Sequence, residues 1–165
     1  ERLTLENGLR RALAQQGFAL AWQPQLAIGD GRLIGFEALL RWPQPQGRAQ
    51  VPPAQFIPVA EDCGLIGAIG DWVLDAACRQ LCAWRAAGLP GVRIAVNLSA
   101  LQLRDARLAD KVAAALAVCG LDGAALELEV TENMLAGDHE QTAALLRDLN
   151  AQVRADARRF TAGDG

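Results

Sequence analysis

Glu37, Asn97 and Glu129 are polar residues set into segments that are otherwise strongly apolar. Glu37 interrupts Leu33-Ile34-Gly35-Phe36-Glu37-Ala38-Leu39-Leu40-Arg41, and Asn97 interrupts Ile94-Ala95-Val96-Asn97-Leu98-Ser99. Glu129 stands with Glu127 in Leu126-Glu127-Leu128-Glu129-Val130-Thr131-Glu132. Side chains of an extended segment alternate between its two faces. Glu37 therefore shares a face with Gly35, Leu39 and Arg41, while Asn97 points away from Ile94, Val96 and Leu98. Glu127 and Glu129 likewise point away from Leu126, Leu128 and Val130. If the apolar faces pack under helices, the oxygens converge on the opposite side. Unpaired buried carboxylates cost several kcal/mol or change their pKa, so a converging set needs a shared partner. A divalent cation is such a partner, and hard carboxylate and amide oxygens suit Mg²⁺ or Mn²⁺ better than Zn²⁺. One polar residue near a strand end is as readily a capping or loop-facing group. The recurrence at three corresponding strand ends is what points to a ligand set.

The elements that must position these residues are readable from periodicity. Apolar positions at helical spacing predict a leading helix over 3–14, stopped by Gln16-Gly17. Two extended runs, 18–28 and 32–40, joined by Gly29-Asp30-Gly31, predict an antiparallel hairpin. A Pro-rich loop over 43–53 and a short segment over 53–62, ended by Gly64, come next. Ile69, Trp72, Val73, Ala76, Ala77, Leu81 and Trp84 follow the i, i+3, i+4, i+7 rule of a helix that Gly88 and Pro90 end. Strands are expected over 92–98 and 125–130, with a helix between them through Leu108, Val112, Ala115, Leu116 and Cys119. Asp138 with Gln141 has the form of a capping box ahead of a last helix. Alternating strands and helices argue for an α/β fold with a parallel sheet under helices. An open doubly wound sheet and a (β/α) barrel both satisfy that order, and the absence of G-x-G-x-x-G or a Walker sequence weakens the nucleotide-binding open sheet.

Composition narrows the classes further. A chain of 165 residues fits one domain, and 52% hydrophobic with 21% charged residues excludes disorder, collagen repeats and a coiled coil. No apolar run reaches the roughly 18 residues of a membrane span. The opening ERLTLENGLRR has no apolar signal core, so the expected location is cytoplasmic. A net charge of −3 argues against a nucleic-acid polymer as partner. Cys63, Cys78, Cys82 and Cys119 form no C-x-x-C pair and have one His to join them, so they read as reduced thiols rather than a zinc or disulfide framework.

The residues with chemistry also carry a resemblance. Gln23-Pro24, Glu37-Ala38-Leu39-Leu40-Arg41-Trp42, Phe56-Ile57-Pro58, Ala60-Glu61, Gly64-Leu65-Ile66, Val96-Asn97-Leu98-Ser99 and Glu129-Val130-Thr131-Glu132 occur in one order. This ordered set resembles the EAL-type cyclic di-GMP phosphodiesterases, bacterial signalling domains folded as a (β/α)8 TIM-type barrel with an antiparallel first strand. The resemblance divides the chain into a leading helix or linker over 1–17, the N-terminal portion of an EAL-type domain over 18–150, and a divergent tail over 151–165. It implies that Glu37, Asn97 and Glu129 coordinate metal, that Arg41 contacts a phosphate of the dinucleotide, and that Gln23 lines the substrate groove. Glu37, Glu129 and Glu132 are the implied catalytic residues, Glu132 by holding the loop after its strand. The implied reaction is hydrolysis of cyclic di-GMP to pGpG with two Mg²⁺ or Mn²⁺ ions. An upstream GGDEF or sensor domain, or a second copy of the chain, is the implied protein partner. Each residue also has a plainer role: Arg41 as an ion-pair partner of Glu61 or Asp62, Gln23 as an edge residue, Trp42 and Trp84 as core.

The resemblance breaks near the end. After Leu149-Asn150 the family has a strand ending in Asp-Asp, whereas Arg158-Arg159 fall at that spacing here, ahead of Phe160. The last three strand–helix units have no counterpart in 165 residues, against about 250 for a complete barrel. The expectation is a partial barrel with little hydrolytic activity, a tail produced by a frameshift or junction, and an open sheet edge that favours dimers, exchange or poor solubility. A non-catalytic cyclic di-GMP-binding or partner-docking module and a non-functional fragment are the alternatives.

Overall fold

The computed structural model describes residues 2–45, 48–89, 91–130 and 139–161. Helix α1 (Arg2–Ala14) leads into the hairpin of β1 (Ala19–Leu26) and β2 (Leu33–Arg41). Helices α2 (Pro53–Asp62) and α3 (Ile66–Ala86) follow, then β3 (Arg93–Leu98), the short α4 (Ala100–Leu103) and α5 (Leu108–Val118). A 3₁₀ turn over Gly123–Ala125 opens β4 (Leu126–Val130), and α6 (His139–Thr161) ends the described chain. The four strands form one sheet in the order β1-β2-β3-β4. The hairpin is antiparallel, and β2/β3 and β3/β4 are parallel. An α/β chain with a partly parallel sheet is therefore observed as expected.

The alternation of the strands separates two faces. Phe36, Ala38, Ile94, Val96 and Leu98 point to the helical side, where Ile94 and Val96 are fully buried. Helix α3 lies along this face, α5 packs beside α3, and α6 packs beside α5. Under β2 and α2 the core is aromatic: Phe18, Trp42 and Phe56 sit with ring centroids 5.6 to 6.3 Å apart. Trp22 and Phe36 meet Trp84 from the sheet, at 5.0 and 4.4 Å. Trp42 and Trp84 thus serve as packing residues.

Two local features differ from the sequence reading. Helix α3 starts at Ile66, one turn before its first strongly periodic residue. Helix α4 was not expected, because four residues are too short for a hydrophobic period to register. The capping box read at Asp138 and Gln141 falls outside the described residues and side chains. Residues 151–161 continue α6 as helix.

No described helix is long and apolar enough to cross a membrane. All four cysteines are free thiols. Burial pushes the Cys78 thiol up to about 12, with the neighbouring Cys119 and Asp75 acting in the same direction. A folded-state value above the ordinary 9.0 means that the buried neutral thiol supports the fold below that value. The support is lost as pH rises through about 12. Iodoacetamide at mildly alkaline pH should accordingly leave Cys78 unmodified in the native chain and label it after urea unfolding. Peptide mass spectrometry reads this directly, and rapid native labelling of Cys78 would contradict it.

Candidate metal and phosphate site

The sheet register builds the site. Gln23 of β1 pairs with Glu37 of β2, Glu37 with Ala95 of β3, and Asn97 of β3 with Glu129 of β4. Gln23, Gln25, Glu37, Arg41, Arg93, Asn97, Glu127 and Glu129 consequently lie on one face, opposite the apolar face under α3. The Asn97 amide donates from Nδ2 to Oε1 of Glu37 at 2.8 Å, across the β2/β3 seam. Three residues separated by up to 92 positions in the chain are thereby gathered on one face of adjacent strands, Asn97 and Glu129 near the carboxyl ends of β3 and β4 and Glu37 at the middle of β2.

The charges on this face do not balance locally. Burial raises the Glu129 carboxyl above the usual carboxylate range, and the negative charges of Glu37 and Glu127 raise it further. A hydrogen bond from Gln25 and the positive charge of Arg93 act in the opposite direction without cancelling the shift. Arg93 is held elsewhere, with its Nε 3.0 Å from Oε2 of Glu127. Gly35 makes room for this pair, since a Cβ there would stand 2.6 Å from the Arg93 carbonyl oxygen and 2.9 Å from its Cγ. Gln25 keeps its Oε1 buried without a hydrogen-bond partner.

Arg41 ends β2 at the rim. Its Nη1 donates to the Leu40 carbonyl at 3.0 Å, and Asp62, one plain ion-pair candidate, is engaged by Arg2 at 2.7 Å. Arg41 lines a cavity of about 520 Å³ together with Glu61, Asn97, Ser99 and Gln102. Gln23 is exposed on the site face beside Glu37. Glu132 lies outside the described residues. Sequence reading missed Gln25, Arg93 and Gln102. The first two needed the strand register, while Ser99-Ala100-Leu101-Gln102 carried a visible S-x-x-Q capping signal.

Among the described residues no group of three His, Cys, Asp or Glu side chains is placed to hold a metal ion. The donors that do converge are two carboxylates and one amide, all hard oxygens, and the repulsion between Glu37 and Glu129 is the kind a divalent cation relieves. The set fits part of a Mg²⁺ or Mn²⁺ site.

A partly parallel sheet beneath helices, with acid and amide side chains gathered on the face away from the helices, defines an α/β domain. Residues 6–157 match the profile of the EAL domain. The chain belongs to the EAL domain family. It is 45% identical over 151 residues to the bifunctional diguanylate cyclase/cyclic di-GMP phosphodiesterase MucR of Pseudomonas aeruginosa, covering 92% of this chain and 22% of that protein. It is 42% identical over 159 residues to the cyclic di-GMP phosphodiesterase NbdA of the same organism, covering 94% of this chain and 20% of that protein. Among solved structures, the PaMucR phosphodiesterase in complex with c-di-GMP superposes with a TM-score of 0.82 at 44% identity, covering 90% of this chain and 60% of that one. The chain thus spans about a fifth of these curated relatives and three fifths of the solved phosphodiesterase chain.

Proposed function

We propose that this chain is the first half of a cyclic di-GMP-binding EAL barrel, carrying the metal-binding rim of a phosphodiesterase whose product is pGpG. The observation that carries the reading is the meeting of Glu37, Asn97 and Glu129 on one face, with Asn97 hydrogen-bonded to Glu37. Glu37, Asn97 and Glu129 would hold Mg²⁺ or Mn²⁺, Asn97 through its amide oxygen while its Nδ2 fixes the Glu37 carboxylate. When bound, the ions supply Lewis acidity at the phosphodiester and ease ionisation of the attacking water. Arg41, at the rim of the cavity, presents a guanidinium suited to a phosphate oxygen. Gln23 borders the groove beside Glu37, and Glu132 completes the proposed set by steadying the loop after β4. The relatives named for cyclic di-GMP phosphodiesterase activity support the substrate, and the four-strand sheet is the portion of a (β/α)8 barrel that the reading requires.

Arg158-Arg159 bring positive charge where the family pattern has two acids, so this chain alone should turn over cyclic di-GMP negligibly. The test is incubation with cyclic di-GMP and Mn²⁺ followed by chromatography. Sustained pGpG formation would overturn the expected inactivity. Calorimetry with the same dinucleotide separates a binding module, which gives heat without product, from a fragment that gives neither. An adjoining GGDEF or sensor domain, or a second copy of the chain, is the proposed protein partner.

A further inference from the structure

The β3-to-α4 turn is built around two residues that the catalytic reading leaves unused. Gln102 is the buried polar side chain of the described core, 8% exposed. Its Oε1 accepts from the Ser99 backbone N–H at 3.0 Å, while the Ser99 Oγ accepts from the Gln102 N–H at 3.2 Å. Both ends of the turn are thereby closed two residues after Asn97. The other end of the carboxamide enters α3 where that helix lacks a side chain. A Cβ at Gly70 would overlap Nε2 of Gln102 and stand 2.6 Å from its Cδ. Glycine weakens a helix interior relative to alanine, so a glycine in the second turn of a 21-residue helix calls for a packing reason. Gln102 supplies it. The carboxamide cannot swing away freely, because its burial leaves it one polar partner and moving it breaks the Ser99 cap.

We propose that Gly70 and Gln102 form a lock that positions Asn97: the notch at Gly70 seats Gln102, Gln102 fixes the turn after Ser99, and the fixed turn holds the Asn97 amide against Glu37. Gly70 and Gln102 are positioning residues, since neither touches Glu37 or Glu129. The inference rests on the reading of Asn97 as a site residue, but its geometry does not need a metal.

The experiment is a double-variant cycle in the 165-residue chain with two readouts. In the first, urea midpoints are compared. Gly70→Ala should lower the midpoint in the otherwise native chain and raise it in the Gln102→Ala background, where the overlap is gone and alanine's helix preference remains. The same sign in both backgrounds overturns the lock. If Gly70→Ala alone does not fold, recovery of folding on adding Gln102→Ala supports the lock, and continued failure overturns it. In the second, the Asn97 side-chain amide resonances, identified by their loss in Asn97→Ala, should shift in Gln102→Ala and stay fixed in the destabilised control Val112→Ala. Unmoved Asn97 resonances overturn the positioning role. Mn²⁺ titration of the same proteins should show Gln102→Ala weakened by roughly 10–100-fold, the range for residues that orient a metal ligand. A native chain that binds no Mn²⁺ sinks the metal reading instead, and the midpoints and resonances still decide the lock.

Discussion

Glu129→Gln should have two opposed effects: Mn²⁺ binding falls by more than about 100-fold, while the metal-free chain becomes more stable at neutral pH. The loss follows from removing one of two carboxylates that converge with Asn97, an effect larger than the roughly 10–100-fold typical of residues that only orient ligands. The gain follows from the environment of Glu129. Burial and the charges of Glu37 and Glu127 hold its carboxyl above the ordinary value. A carboxyl with a raised folded-state value binds its proton more tightly when folded, so its support for the fold is present at low pH and lost as pH rises through the shifted value. At neutral pH the ionised group therefore weakens the metal-free fold, and a neutral isostere removes that penalty. The checks are Mn²⁺ titration by electron paramagnetic resonance and thermal unfolding in chelator across mildly acidic to neutral pH. A variant that binds Mn²⁺ normally, or melts below the native chain at neutral pH, would refute the account. Destabilising groups kept at one spot are the usual mark of a functional site.

Phe56→Ala should cost about 3–5 kcal/mol, the range for deleting a buried aromatic ring. Phe56 is fully buried, with Trp42 5.6 Å away edge-on and Phe18 at 6.3 Å. Those neighbours are large rings anchored just past β2 and at the entry to β1, so they cannot collapse into the space that Phe56 leaves. For a chain of this size the loss corresponds to a melting-temperature drop on the order of 10 °C. The cavity would open directly behind Trp42, the residue after Arg41, so the proposed cyclic di-GMP binding should weaken in the same variant. Urea denaturation gives the first quantity, and a change below about 1 kcal/mol would mean that the aromatic cluster repacks.

How much of this was readable beforehand follows from which forces act locally. The two-residue period exposed Glu37, Asn97 and Glu129 against their apolar neighbours, and the structure gathers them as that alternation requires. The antiparallel hairpin was legible because Gly29-Asp30-Gly31 supplies the positive φ that a turn needs, which Gly31 takes up at 68°. Gln25 and Arg93 were not legible as neighbours of Glu129, since strand register is set by packing between distant segments. The cap made by Gln102 was visible in the Ser99-x-x-Gln102 pattern, but its seat was not, because the hole that holds it belongs to Gly70, 32 positions earlier. Glu61 and Asp62 are the plain ion-pair candidates for Arg41, yet Asp62 is met by Arg2, 60 positions earlier in the chain.

The spatial order β1-β2-β3-β4 repeats the order of synthesis. Each strand leaving a ribosome finds its neighbour already in place, and no gap has to be held open for a later arrival. Assembly can proceed as a front advancing along one growing edge, the β1/β2 hairpin closing locally and the two later strands docking after helical crossovers. The Glu37 carboxylate is then in place first, Asn97 arrives with the third strand, and Glu129 only with the fourth. If these three side chains form the proposed site, a nascent polypeptide would stay blind to divalent ions until that last addition, and metal capture would then time-stamp the docking of its fourth strand.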